Sequence, residues 1–533
     1  MKKILMMLLV IAVISTSLIG CGKSGGTNEE GSGAGSGNYG GTLNVVSGAE
    51  PNTLDPHYST TSGEFMPLFH IYETPVSKDT EGNYYPLVCE YEMSDDATKL
   101  TLTVREGVTF HDGTAVTSKD IKESLDRWMK ARASRLSGFA GILKTETVVD
   151  EKTVEYEFTQ PAVSALYLMA DPDYGAFIMK ADIIESLGED GKIQGYDAAN
   201  YIGTSPYKFA EWIPNQYIRV VRYDNYVSVD NDASGAAGPR YAYADEIRFM
   251  IMTDGATQAM NMMTGDIDYA SLSDELAEPL LENKTIYSQN VNNGSSVVFV
   301  FNNSEERSDS FIHNIAFRKA ILAALDMKGV MLSFVPEDLI IMSPALVKSG
   351  TLYYNDKTAK DVWNVNDTEL AKKYLQESGY NGEEIVWVTR TSTVNYKPTV
   401  VAAEQLKAVG INVKIISVET TASKAYQEDY TGWDVACIMS PTLKEDPCNY
   451  TPLQPGYWVK WDSEKKNELY DKLLVTTDST ERQEYIDELT NLLYDELPFI
   501  ICGSRMTTVY FRTGVEGSYE GISAYFWNTY FTK

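Results

Sequence analysis

The side chains that could do catalytic work do not assemble into a recognisable pattern. His57, His70, His111 and His313 are the four histidines. No two stand in the H-E-x-x-H spacing that puts a pair of imidazoles on one helical face around zinc. Outside the glycine-rich stretch from Gly22 to Gly41 there is no G-x-S-x-G elbow, no Walker A loop and no G-x-G-x-x-G turn. Neither an activated serine nor a phosphate cradle is therefore signalled. Asp95-Asp96 and Asp266/Asp268 have the composition of a glycosidase couple or a cation site, but among 75 acidic residues a solvated face is the simpler reading. The five cysteines include no C-x-x-C; Cys437 and Cys448 are close enough in sequence either to bridge or to stay as two buried thiols. Non-covalent binding without a cofactor is the expectation, and a surface hydrolase assembled from dispersed residues is the alternative.

The elements that would position a binding site come from a long, acidic chain. With 533 residues, two or three domains are expected. The formal charge is −30, a surface that repels nucleic acid and anionic lipid. Lys2 and Lys3, the apolar run Ile4 to Ile14 and the ending Leu18-Ile19-Gly20-Cys21 have the layout of a secretory signal. Gly20-Cys21 resembles the bacterial lipobox, which implies removal of residues 1–20 and acylation of the Cys21 thiol. Loss of the two lysines would take the charge to −32. Residues 21–41 are Gly, Ser, Asn and Glu with few apolar side chains, a flexible tether.

Beyond the tether, Thr42–Val46 reads as a strand and Glu50–His57, with two prolines, as a fixed loop. Thr117 and Asp120 fit a capping box, followed by Ile121, Leu125, Trp128 and Met129 at helical spacing. Thr257–Met263 is helical and stopped by Gly265. Val297–Phe301 reads as a strand and Asn314–Ala324 as a helix. Asn366 and Glu369 fit a second capping box, with Gly379 closing the helix. Ile385–Thr389 and Ile411–Val418 are strand-like on either side of a helix from Pro398 to Val409, so they are predicted to be parallel with a right-handed crossover. Asp434–Met439 adds a strand, and Glu464–Leu474 and Thr480–Tyr494 add helices. Arg390, Thr391 and Ser392 end the Ile385 strand, where open α/β sheets place ligands. Arg390 either forks onto a carboxylate or makes an exposed salt bridge.

Several of these segments, in order, resemble one family. They are L-N-V-V…E-P-N-T-L-D-P-H at Leu43–His57, F-H-D-G-T-A-V-T-S-K-D-I at Phe110–Ile121, I-G-T-S-P-Y at Ile202–Tyr207, T-G-D-I-D at Thr264–Asp268 and R-K-A-I at Arg318–Ile321. Together they resemble the extracellular solute-binding proteins of the peptide and nickel type, family 5, which serve ABC importers. The resemblance implies an α/β, two-lobed periplasmic-binding-protein-like fold with a hinge. Lobe I would take residues 42–296, including an extra subdomain at about 78–200, lobe II residues 297–497, and residues 498–533 would return to lobe I. It also implies a monomer that delivers a small solute to a permease with its ATPase subunits. Ser205 stands where the family usually has glycine, which puts the backbone angle there in question.

The same resemblance points to the stretch after the L-D-P loop, with Thr60, Ser62 and Glu64 as candidate ligand contacts, and to Trp433 through Asp446-Pro447. In peptide binders of the family an aspartate four residues before that proline pairs with the ligand's amino terminus; here the position is Leu443. Glu445 or Asp446 substitutes, or the ligand lacks a free amine. An oligosaccharide stacked on aromatics such as Trp458 is the main alternative to a peptide, and a nickel chelate a further one. If Cys21 carries the anchor, Cys21→Ser will release the mature protein into the medium and abolish labelling by radioactive palmitate; retention of both label and membrane fraction would refute the anchor.

Overall fold

The computed structural model describes residues 37–188, 191–419, 425–426, 429–440, 446–517 and 525–532. Cys21 and the signal segment, like Leu443 and Glu445, lie outside the described residues. One sheet of eleven strands organises the rest. Its order is Val413–Val418, Ile385–Arg390, Val435–Ser440, Ile286–Phe301, Phe499–Arg512, Tyr269–Ala270, Thr42–Val46, Glu246–Met250, Tyr217–Arg222 and Tyr207–Ile213, with Ile340–Ile341 paired to Phe499–Arg512 off this path.

Two of these strands are long and antiparallel to each other: Ile286–Phe301 and Phe499–Arg512. They run from one hydrophobic core into another. Val291 and Val509 pack in the core of lobe I, whereas Val297–Phe301 and Phe499–Cys502 pack in that of lobe II. The chain therefore leaves lobe II only after Cys502. Apolar alternation marks only Val297–Phe301 as strand because Asn290, Asn292 and Gly294 interrupt it, yet backbone pairing continues through them to Ile286. The register slips between Val291 and Ser295 and again between Val297 and Val298. Gly503 has φ 152°, and a Cβ there would lie 3.1 Å from Met331 Cγ and 3.3 Å from the Ile341 carbonyl oxygen. Glycine accommodates this bulge where a side chain would crowd.

In lobe II the predicted parallel pair is present: Ile385–Arg390 lies beside Val413–Val418 in parallel register. The intervening helix is Thr393–Ala408 and begins before Pro398 rather than at it. The helix Thr368–Ser378 is capped by Asp367, not Asn366; its carboxylate accepts from the Glu369 and Leu370 N–H groups at 3.0 and 2.9 Å. A charged acceptor suits the positive end of the helix.

A second, four-stranded antiparallel sheet, Cys89–Met93, Lys99–Val104, Thr153–Phe158 and Leu143–Val148, forms the subdomain with its own core around Phe110 and Trp128. The Thr117–Asp120 capping box opens its helix Ser118–Ala131 as predicted. Arg127 on that helix reaches back to the L-D-P loop, donating to Asp55 Oδ1 at 2.9 Å and to His57 Nδ1 at 3.0 Å, with a second prong on Asp55 Oδ2. Burial would raise the Asp55 carboxyl, but Arg127 outweighs it and holds the group below its ordinary range. Ser205 adopts no left-handed angle and donates to the Phe69 carbonyl at 2.9 Å, so serine is accommodated there without strain. Cys437 and Cys448 are not bridged; both are buried free thiols, as are Cys89 and Cys502.

His57 and His70 are buried and His111 is half-buried; His57 and His111 tie lobe I to the subdomain, and His70 lies within lobe I. His57 bonds the Phe177 carbonyl at 2.8 Å, His70 takes the Phe526 N–H at 2.9 Å, and His111 bonds the Ser205 carbonyl at 2.9 Å. Burial pushes the first two down to about 3 and His111 to about 4. They stay neutral in the folded chain while their unfolded counterparts protonate near pH ~6.5. Their contribution is intact above that pH and is lost as pH falls toward 4. The unfolding free energy in urea is expected to drop by about 2 kcal/mol per histidine between pH 7 and 5. His111→Gln should flatten that slope; an unchanged slope would refute the assignment.

Candidate functional site

Lobe II carries an aromatic pocket on one face of its sheet. Val388 is in register with Ala436 and Arg390 with Val418, so these side chains, with Ile438 two residues on, share a face. Cys437 lies on the opposite face, against Asn395 and Thr399 of the helix Thr393–Ala408. Over the first face Tyr426, Trp433 and Trp458 close a cavity of about 350 Å³ including its open mouth. Trp433 is buried and fixed, since its indole N–H reaches the Tyr426 and Asp429 carbonyls at 2.8 and 3.0 Å. Trp458 tilts against it with ring centroids 6.3 Å apart, and the Tyr430 hydroxyl holds the Trp458 carbonyl at 2.8 Å.

Arg390 contributes the cationic group in this apolar lining. It is half-buried, and none of the ion pairs among the described residues involves it. A guanidinium placed beside apolar walls, with no carboxylate partner among the described residues, is a charge that those residues compensate incompletely. An anionic ligand group would complete it, and the neighbouring rings would take an apolar side chain.

Asp434 holds the frame behind this pocket. Its carboxylate is fully buried and accepts from Arg307 Nε at 2.9 Å, Ser310 Oγ at 2.6 Å and the Val386 N–H at 2.7 Å. It therefore pins the starts of two pocket strands to the loop that follows the long crossing strand.

The other sequence candidates fall elsewhere. Thr391 donates its N–H to the Val418 carbonyl at 2.9 Å, and Ser392 bonds Asn395 Oδ1 at 2.8 Å ahead of the helix. They build the turn beyond Arg390. Thr60 and Ser62 lie in lobe I around the start of the helix Ser62–Leu68. Glu64 is buried, with its carboxylate occupied by the N–H groups of Asn52, Thr60 and Thr61. The T-x-x-E spacing of Thr61 and Glu64 was the sequence signal for this capping role. Asp446 is occupied too: Arg482 Nη2 meets its two oxygens at 3.1 and 2.9 Å, and the Cys448 N–H adds a bond at 2.9 Å. It supports the loop rather than offering an open carboxylate to a ligand amine. Tyr426 was not foreseen, because only the fold brings it beside Trp433. Among the described residues no group of three His, Cys, Asp or Glu side chains could hold a metal ion, and no helix is long and apolar enough to cross a membrane.

The profile of the bacterial extracellular solute-binding proteins, family 5 (middle region), matches residues 83–457. The dipeptide-binding protein DppE of Bacillus subtilis is 23% identical over 522 residues, 91% of each chain. A dipeptide-binding protein from Pseudoalteromonas in complex with Met-Leu superposes with a TM-score of 0.73 at 18% identity, covering 92% of this chain and 100% of that one. The oligopeptide-binding protein AppA of Bacillus subtilis in complex with a nonapeptide gives 0.70 at 18% identity, covering 93% and 100%.

Asp434→Ala should destabilise the chain by about 3–5 kcal/mol, because it leaves Arg307 and a buried N–H without an acceptor. Chemical denaturation checks this; a loss under 1 kcal/mol would show that Asp434 does not hold the frame.

Proposed function

The chain belongs to the bacterial extracellular solute-binding proteins of family 5, and we propose that within this class of ABC-importer binding components it captures peptides between its lobes for a permease. The family's members are transport binding proteins rather than enzymes. The observation that carries the peptide reading is the aromatic pocket with Arg390 at its rim. A free carboxylate on Arg390 and an adjoining apolar side chain against the half-buried rings of Tyr426 and Trp458 would satisfy both halves of that surface at once.

In this reading lobe I comprises residues 42–296 with the subdomain at about 78–200, and lobe II runs from residue 297 through Cys502 before the chain returns to lobe I. Ligand favours the closed arrangement only through contacts to both lobes. Cys21 would hold the device at the outer face of the cell membrane through lipid, near the permease and its ATPase subunits. The support for this is the lipobox-like sequence and the apolar run before it. A second reading, an oligosaccharide stacked on Trp458, is favoured by that half-buried ring.

Calorimetry with alanyl-leucine, its C-terminal amide and a maltooligosaccharide separates these readings. The free acid is expected to bind, and both amidation and Arg390→Gln should weaken it tenfold or more, about 1.5–3 kcal/mol for bonds to a charged group. Trp458→Ala should weaken it further. Binding of the sugar alone would overturn the peptide reading, and hydrolysis of the bound dipeptide would overturn the transport reading.

A further inference from the structure

The arginines of the folded chain are nearly all provided for. Arg127 forks onto Asp55, Arg240 pairs with Glu73 at 2.7 Å, Arg482 pairs with Asp446 at 2.9 Å, and the buried Arg318 donates to the Ile312 and Leu497 carbonyls. Among the described residues two arginines have neither a hydrogen bond nor an ion pair: Arg390 at the aromatic pocket, and Arg505. Arg505 is half-buried, and its Nε is shut away from solvent with no acceptor. Burial pulls its pKa below the ordinary guanidinium value, and no carboxylate among the described residues pulls it back. A guanidinium keeps its charge at physiological pH, so an anionic group has to be brought to it.

The place of Arg505 in the sheet says where that group would meet it. Arg505 stands on the crossing strand Phe499–Arg512, two residues beyond the bulge at Gly503, with Ser295 beside it on one side and Ile340 on the other. Alternation along the strand gives it the face of Val509 and Phe511, which pack in lobe I with Phe65 of the helix Ser62–Leu68. The acids around the entry to that helix are occupied, Asp55 by Arg127 and Glu64 by the N–H groups of Asn52, Thr60 and Thr61. Neither is left for Arg505. Arg390 does not compete for the same group. Two strands lie between theirs, three spacings of about 4.8 Å, and Arg505 lies four residues beyond Ile501, which is level with Arg390, about 13 Å farther along. One carboxylate does not serve both.

Resting on the peptide reading above, we infer that Arg505 receives an acidic side chain of the bound peptide, so that the protein selects peptides carrying glutamate or aspartate. The formal charge of −30 opposes an anionic solute at long range, but salt screens exposed charges beyond about 8 Å. At contact the unpaired guanidinium decides.

The probes are alanyl-glutamyl-leucine and alanyl-glutamyl-alanyl-leucine, each with a twin that carries glutamine in place of glutamate. Calorimetry should show at least one glutamate peptide binding the wild type tenfold or more tightly than its twin. Arg505→Gln should erase that preference and Arg505→Lys should keep part of it, while both bind the glutamine peptides within threefold of the wild type. Without ligand, Arg505→Gln should unfold at a urea midpoint no lower than the wild type, since the side chain gives up no bond; a lower midpoint would show a structural role and overturn the assignment. Equal affinity within both pairs in the wild type, or a preference that survives Arg505→Gln, overturns it as well. If none of the four peptides binds the wild type, the peptide reading fails and this inference falls with it.

Discussion

The backbone ladder between Ile286–Phe301 and Phe499–Arg512 is the constraint on which the rest of the molecule depends. Because these two strands pair with each other and enter both cores, the lobes are not separate bodies on a slack linker. They are two halves of one sheet. Any rotation of one lobe against the other has to be absorbed where the ladder is already irregular, around Asn292–Gly294 and at the bulge beside Gly503. Regular pairing on either side transmits the motion rigidly, and the irregular steps give it a place to occur.

The proposed ligand surfaces follow from that arrangement. The pocket strands join the same sheet beside Ile286–Phe301, so Arg390 and Trp433 are placed relative to the crossing by backbone pairing rather than by surface loops. The subdomain is fixed to lobe I by the Asp55–Arg127 pair and by the neutral, buried His57. Within each wall of the cleft the parts are thus tied to one another by ion pairs and backbone pairing.

Much of this frame was legible in the residues. Thr117 with Asp120 marked the start of the Ser118–Ala131 helix because the box is local, and Gly379 marked the end of another because only a left-handed angle fits there. The misses have physical causes. Pro398 suggested a helix start, but the helix begins at Thr393 and carries the proline within it. Asn366 has the right type for a cap, yet Asp367 beside it brings a charge and wins. Half of a crossing strand was hidden because backbone pairing does not require an apolar alternation. Arg390, Trp433 and Trp458 were found singly, by position at a strand end or by resemblance, and their meeting could be seen only once the sheet register was known. Glu64 and Asp446 were read as open carboxylates because sequence does not show which N–H groups and guanidinium occupy them. A cavity between the subdomain and lobe II was out of reach altogether, since its lining stops at Tyr167 on one side and resumes only at Leu352 on the other.

The four thiols of the folded body have a consequence of their own. Cys89, Cys437, Cys448 and Cys502 are all buried and unbridged, and burial pushes the Cys437 thiol up to about 11, away from the reactive thiolate. The fold therefore needs no oxidant to mature and no isomerase to sort pairings. Reductants and mild oxidants outside the cell have no bond to cut and little thiolate to attack. The folded body rests on hydrophobic and hydrogen-bond energy without a covalent cross-link among these four cysteines, so anoxic and aerated surroundings leave it the same covalent framework.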